Sequence, residues 1–328
     1  MAKFLVTGGG GFIGSSLVEH LVSQGESVVV LDDFSTGKVE NLAGIEDRIE
    51  IIEGSITCLD TCRRAVRGVD FILHEAALPS VPRSIENPVA SNHVNVSGTL
   101  NMLVASRDEG VKRFVYAASS SVYGDTEDLP KVETMPAIPL SPYAISKYTG
   151  EMYCHTFFEL YGLQTIALRY FNVFGPKQDP ASQYSAVIPK FITAHLRDES
   201  PVIFGDGEQS RDFTYIDNVI HANILACAAA PKAFGRVFNC ACGEQITLNE
   251  MAFMIKEILG SYMPVLHADP RPGDVMHSLA DLRSAKDLLR YSPKTTTREG
   301  LERVIPWYVE QHERQDKGVR TKVKGGVS

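Results

Sequence analysis

The chain has 328 residues, a formal net charge of −8, and hydrophobic and charged contents of 44% and 22%. That acidic balance speaks against nucleic acid or an anionic membrane as the main partner, and the proportions suit a globular enzyme large enough for two lobes. No apolar stretch approaches the roughly 20 residues of a membrane span, and the N-terminus runs directly into a strand pattern without room for a signal peptide, so a cytoplasmic protein is expected.

The first strand, Phe4 to Val6, leads through Thr7 into four consecutive glycines. From Phe12 the apolar residues Phe12, Ile13, Leu17, Val18 and Leu21 recur at helical spacing. Strand, glycine turn and helix form the context of a dinucleotide fingerprint. Gly8 reverses the chain, Gly11 lets the backbone approach a pyrophosphate, and Gly14 allows close helix–strand packing. A second strand, Ser27 to Leu31, ends in Asp32 and Asp33. An acid there accepts from an adenosine ribose and repels a 2′-phosphate, which selects NAD over NADP.

Further strands are expected at Arg48–Ile52, Val69–Leu73, Lys112–Ala117 and Thr165–Tyr170. Helices are expected near Leu59–Arg67, over about Pro88–Glu109 and over about Pro142–Tyr161. This alternation predicts an α/β fold with a doubly wound parallel sheet of Rossmann type, its ligand beyond the strand C-termini. After Gly175 the pattern loosens into short pieces between proline and glycine turns, the signature of a smaller α/β lobe. The expected division is 1–175 for the cofactor and 176–314 mainly for substrate, with a return to the first unit near 210–230. A last amphipathic helix spans about Thr297–Gln311, and the polar Gln315–Ser328 reads as a disordered tail. The six cysteines, Cys58, Cys62, Cys154, Cys227, Cys240 and Cys242, show no CxxC spacing and read as free thiols. No metal site is expected.

Tyr143 and Lys147 lie four apart on the helix expected from Pro142, so both project from one face. A free phenol titrates near 10; an adjacent ammonium and a cationic nicotinamide would favour the phenolate and make it a base. Ser119, Ser120 and Ser121 follow the fifth strand directly, where the ligand should sit. Ser119, Tyr143 and Lys147 beside a nicotinamide form a hydride-transfer constellation.

The segments Thr7–Gly14, His74–Ala77, Asn95–Thr99, Ser119–Gly124, Tyr143–Lys147, Arg169–Pro176, Gly205–Phe213 and Arg271–Asp274 together resemble the extended short-chain dehydrogenases/reductases. The resemblance covers nearly the whole chain and is greatest to the UDP-hexose 4-epimerases. Val81–Ser84 and Ser278–Asp281 resemble the bacterial branch that accepts N-acetylated UDP-sugars.

The resemblance implies roles position by position. Gly8, Gly11, Phe12, Ile13, Gly14, Asp32, Asp33, Phe34, Ser35, Thr36 and Gly37 would hold the adenosine and pyrophosphate. Ser55 and Ile56 would flank adenine, the serine replacing the family's usual acid. Ala76, Ala77, Asn95, Tyr143, Lys147, Tyr170 and Phe171 would complete the NAD site. Substrate would meet Ser84, Ser119, Ser120, Ser121, Tyr143, Asn172, Val187, Phe204, Arg211, Arg271, Asp274 and Ser278, the two arginines gripping the diphosphate. Family dimers pair through a four-helix bundle, which implies a homodimer through the helices near 88–109 and 142–161. Leu100, Leu103, Val104, Met152 and Phe158 on those helices serve either that interface or the core.

Related dehydratases place Asp-Glu after the catalytic hydroxyl and decarboxylases a Glu, whereas this chain has Ser120 and Ser121. Epimerisation is therefore expected, on UDP-N-acetylglucosamine/UDP-N-acetylgalactosamine and also on UDP-glucose/UDP-galactose. A UDP-glucuronate-type 4-epimerase is the alternative. A non-enzymatic NAD-binding protein on this scaffold would typically lack the tyrosine or the lysine.

Overall fold

The computed structural model describes residues 1–179, 187–270 and 275–324, with side chains as far as residue 314. β1 (Lys3–Thr7) leads through the glycine turn into α1 (Phe12–Ser23), β2 (Ser27–Asp32), β3 (Ile49–Glu53), α2 (Leu59–Ala65) and β4 (Phe71–His74). Then α3 (Val81–Glu86), α4 (Pro88–Asn92), a π-wound stretch His93–Gly98 and α5 (Thr99–Glu109) precede β5 (Arg113–Ser119), α6 (Pro142–Tyr161) and β6 (Thr165–Tyr170). β7 (Val173–Phe174), α7 (Val187–Leu196), β8 (Val202–Phe204), β9 (Ser210–Arg211), β10 (Thr214–Tyr215) and α8 (Ile216–Cys227) follow. The remainder is β11 (Arg236–Cys240), β12 (Ile246–Thr247), α9 (Leu248–Leu259), β13 (Leu266–Ala268), α10 (Arg283–Leu289) and α11 (Thr297–Lys324).

Among the described residues, seven strands form one parallel sheet in the order β11-β6-β5-β4-β1-β2-β3. Both faces are covered. Leu5, Val29, Ile72 and Phe114 pack against Met102 and Leu103 of α5 and Cys154 and Phe157 of α6. Val6, Val30, Leu73 and Val115 on the other face meet Leu17, Val18 and Leu21 of α1 and Val219 and Ala222 of α8. Strands buried on two sides need apolar residues at consecutive positions, which is why they stood out as unbroken runs. The strand order reverses between β1 and β4, opening a crevice at their carboxyl ends.

The helix expected over 88–109 runs without a break from Pro88 to Glu109, with a π-wound turn inside it. Asn87 caps α4 by accepting from the Ala90 amide (3.0 Å). The π-wound turn that follows accommodates an extra residue, as such bulges often do near functional sites. α6 also has the expected bounds, with Ser141 accepting from the Ala144 amide, Pro142 in the first turn and Gly162 ending it at φ 71°. The tail differs: α11 continues past Gln311 to Lys324 rather than dissolving at Gln315. Its extension is rich in good helix formers and contains no proline, and Arg314 pairs with Glu310 one turn back (2.6 Å). The short pairs β8–β13, β9–β12 and β7–β10 build the looser second region. The chain regains the sheet through α8, packed against β5 and β6, and through β11 at the sheet edge.

Candidate active site

The cradle follows from the backbone. Gly8 turns at φ 69°, its amide bonded to the Leu31 carbonyl (2.8 Å). A Cβ on Gly14 would collide with the Gly8 carbonyl oxygen, so α1 can approach the turn only without a side chain there. Gly11 caps α1 with no side chain on its first amides and no acid in its first turn. Those N–H groups and the helix dipole suit a pyrophosphate. Asp32, at the end of β2, accepts from the Gly10 and Phe34 amides (2.8 Å each), which fixes the carboxylate at the cleft wall. Burial pushes its pKa up, against the pull of these amides.

A cleft of 690 Å³ opens over this cradle. It is lined by Gly8, Gly11, Phe12, Ile13, Gly14, Asp32, Asp33, Ser35, Thr36, Gly37, Ser55, Ile56, Ala76, Ala77, Tyr143, Lys147 and Tyr170, as the sequence suggests. The shape and donor set fit an NAD molecule laid from Asp32 to Lys147. Three expected cofactor contacts are placed elsewhere. Phe34 turns its ring toward Gly10; Phe171 is fully buried in a small cluster with Val122 and Tyr123. Asn95 is spent on Leu78, accepting from its amide (2.7 Å) and donating to its carbonyl (3.2 Å), and on the Ser146 hydroxyl (3.0 Å). It therefore positions the loop after β4 against α6 instead of facing the cleft. The sequence reading missed Glu75, Arg83 and the Lys177–Asp179 segment, all on the cleft wall. Lys177 reaches Glu19 (2.6 Å) and the Asn41 carbonyl (2.7 Å), and Lys38 pairs with Asp179 (2.8 Å), strapping this segment to the cofactor side.

His74, the last residue of β4, explains how the wall is held. Ala76 N–H donates to Thr7 Oγ1, which lies 2.8 Å from His74 Nδ1, while Nε2 lies 3.0 Å from Thr99 Oγ1. Thr99 donates onward to the Asn95 carbonyl (2.7 Å). With each hydroxyl supplying one proton, the chain closes only if His74 is neutral and protonated on Nε2. Burial agrees, pushing its pKa down to about 3.

At the far end, Lys147 is buried and donates to the Ala117 carbonyl (2.8 Å). Its ammonium also lies 5.2 Å from the centre of the Tyr116 ring. Ser119 ends β5 rather than following it, and accepts from the Ser121 amide (3.2 Å) and hydroxyl (2.9 Å). Burial pushes the Tyr143 phenol above its ordinary value; a hydrogen bond with Ser119 pulls it down and Glu75 adds to the rise. The lysine is thus aimed at a backbone carbonyl, and within the protein Ser119 is the group that favours phenolate. Burial lowers the Lys147 pKa, opposed by Glu75, Glu151 and Cys154.

A second cavity of 440 Å³ is lined by Asn172, Val187, Phe204 and Arg211, four of the expected substrate residues. Arg211 is anchored through Nη1 to the Ser210 (2.9 Å) and Met276 (3.3 Å) carbonyls. Ser84 does not reach either cavity: its hydroxyl donates to the Val81 carbonyl (2.7 Å) and accepts from the Tyr143 amide (3.0 Å), pinning the start of α6. Ser120 and Ser121 form a short 3₁₀ turn beside Ser119. Ser278 is buried, its amide on the Ser210 carbonyl (3.1 Å) next to Arg211, but on the wall of neither cavity. Arg271 and Asp274 lie outside the described residues. No cluster of potential metal ligands occurs among the described residues, and all six cysteines are free. No described helix is long and apolar enough to cross a membrane.

The chain is similar to known proteins over nearly its whole length. A UDP-N-acetylglucosamine 4-epimerase from Methanobrevibacter ruminantium, solved in complex with UDP-N-acetylmuramic acid, is 40% identical with a TM-score of 0.90, covering 94% of this chain and 99% of that one. A UDP-glucose 4-epimerase from Thermotoga maritima, solved with UDP-glucose, is 37% identical with a TM-score of 0.90, covering 94% and 99%. A UDP-glucose 4-epimerase from Mycolicibacterium smegmatis is 36% identical over 310 residues, 93% of this chain and 98% of the relative. The profile of the NAD dependent epimerase/dehydratase family matches residues 4–241, and the chain belongs to that family.

Proposed function

We propose that the protein is an NAD-dependent UDP-hexose 4-epimerase that inverts C4 through a transient 4-keto sugar. The observation that carries this is the Ser119–Tyr143–Lys147 group at the carboxyl edge of the sheet, followed by Ser120 and Ser121 where elimination or decarboxylation would need a carboxylate. Tyr143 accepts the proton of the sugar 4-hydroxyl, Ser119 holds that oxygen, and Lys147 with Tyr170 lines the nicotinamide end of the cleft. Bound NAD supplies the hydride acceptor and gives the hydride back. Arg211 and Asn172, with Arg271, hold the nucleotide diphosphate while the ketone turns; hydride then returns to the opposite face of C4, and Tyr143 gives the proton back to the C4 oxygen. In this reading residues 1–175 carry the cofactor and 176–314 mainly the nucleotide sugar.

The preferred substrates are UDP-N-acetylglucosamine and UDP-N-acetylgalactosamine, with UDP-glucose and UDP-galactose as a second pair. Ser278 lies next to the strand of Arg211, though on the wall of neither cavity; this reading has substrate binding bring a C2 acetamido group up against that small residue. NMR of product from each UDP-sugar, UDP-glucuronate included, tests the reading. Ser278→Tyr should lower kcat/KM for the acetylated pair by at least tenfold, about 1.4 kcal/mol in the transition state, while sparing UDP-glucose. Equal loss for both pairs, or none, removes Ser278 as the gate.

We further propose a cytoplasmic homodimer. On α6, Ile145, Met152 and Leu160 are exposed at helical spacing, and Ile85 and Val89 extend the apolar surface. Leu103 is instead fully buried, and Phe158 packs on Phe234. Light scattering should give twice the 36.0 kDa chain mass, and Ile145→Lys with Met152→Lys should give the single-chain mass. A single-chain mass for the unaltered protein would dismiss the dimer.

A further inference from the structure

Glu75 follows β4 directly, at the carboxyl edge of the sheet, and its amide is held by the Thr7 carbonyl (3.2 Å). Its carboxylate accepts from the Tyr170 hydroxyl (2.8 Å). That hydroxyl in turn accepts from Asn223 Nδ2 (2.8 Å), whose other proton goes to the Val219 carbonyl (2.9 Å). The Val219 carbonyl fixes the amide orientation, so the only proton Tyr170 can offer goes to Glu75. The relay therefore terminates on Oε1 of Glu75, which serves as an acceptor. Among the described residues the second carboxylate oxygen has no hydrogen-bond partner, and Glu75 lines the cleft beside Tyr143, Lys147 and Tyr170.

The charges in this cleft make that placement consequential. Lys147 is buried there, and the oxidised nicotinamide brings a second positive charge that disappears on reduction. Glu151, the other carboxylate acting on Lys147, is committed to Arg169 through two hydrogen bonds (3.0 and 2.8 Å). Glu75 is thus the counter-charge left to face both cations. Burial pushes its carboxyl up to about 7, with the Tyr170 hydrogen bond and Lys147 holding it down, and a cationic nicotinamide beside it draws it further toward the carboxylate.

We infer that Glu75 is a positioning residue for the cofactor's charge: its carboxylate, oriented by Tyr170, favours the oxidised over the reduced nicotinamide and keeps the enzyme ready between turnovers. The inference rests on the nicotinamide lying at the Tyr143–Lys147 end, but on no particular sugar.

The test needs no sugar and so stands or falls apart from the substrate reading. Purified protein is equilibrated with an equimolar excess of NAD⁺ and NADH until the bound ratio is constant, then desalted and denatured, and the released cofactors are quantified. Glu75→Gln keeps the Tyr170 hydrogen bond and removes the charge; its bound NAD⁺/NADH ratio should fall on the order of tenfold against wild type, as expected for one charge acting across a partly screened site. Glu75→Asp, which keeps a carboxylate, should retain a ratio near that of wild type. Should the glutamine variant fail to fold, Glu75→Ala must shift the ratio in the same direction. A ratio within twofold of wild type in the charge-removing variant, or an aspartate variant that behaves like the glutamine one, would overturn the inference and leave Glu75 as a brace for Tyr170.

Discussion

Tyr143→Phe should lower kcat by about 10²–10⁴-fold, the usual cost of removing a general base, with bound NAD and UDP affinity unchanged. The substitution deletes one oxygen and leaves the ring on α6, so only the proton-transfer step is touched. In the protein alone, burial holds the phenol above its ordinary value and Ser119 is the hydrogen bond that opposes it. The working base is therefore created when positive charge is added to the cleft. A base must be ionised to act, so the wild-type rate should climb with pH until the phenol has lost its proton. The residual rate of the phenylalanine variant should lose that dependence. Single-turnover kinetics across pH, with cofactor content measured on the same samples, checks both parts. A variant within a few-fold of wild type, or one that keeps the pH limb, would place the base elsewhere.

Much of this architecture is legible in the sequence, for identifiable reasons. The glycine turn, β2 ending in Asp32, and α6 with Tyr143 and Lys147 one turn apart are local patterns that need no knowledge of distant contacts. The inner strands were legible because a sheet covered on both faces leaves little polar alternation, whereas the edge strand β3 carries Glu50 and Glu53. What stayed hidden depends on contacts across the chain. Asn95 lies in a family-like segment, yet its π-wound turn spends the amide on Leu78 and Ser146, 17 and 51 residues away. Ser84 reads as a substrate contact until the α6 amide it accepts from is seen. Glu75 looks like an ordinary polar residue after a strand; its partners sit on β6, α6 and α8. The only local clue was its position at a strand C-terminus, where doubly wound sheets place ligands. The helix over 88–109 was legible in its bounds, but periodicity cannot register the one added residue of the π-wound turn inside it.

The same long-range logic gives the largest expected loss of stability, at Glu151. Four residues beyond Lys147 on α6, it forms a two-point ion pair with Arg169 of β6, and the side chains are 0% and 4% exposed. Arg169 also lies over the Tyr123 ring, 4.6 Å from its centre. Tyr123 donates to Asn239 Oδ1 (2.6 Å), and the Asn239 amide donates to Glu133 (2.8 Å). The pair thus joins α6, β6, β11 and the 120–133 loop, and it sets the position of α6 that brings Tyr143 and Lys147 to the cleft. Such a pair contributes little net stability against an apolar replacement, because desolvation offsets attraction, but removing one partner strands a buried charge. Glu151→Ala should therefore cost about 3–5 kcal/mol, read as a lower urea midpoint at an unchanged slope. Glu151→Leu combined with Arg169→Met removes both charges and should recover most of the loss. The two substitutions should be strongly non-additive, as expected of residues in contact. A cost under about 1 kcal/mol for the single variant, typical of an exposed pair, would mean that water reaches Arg169 and that the pair does not fix α6.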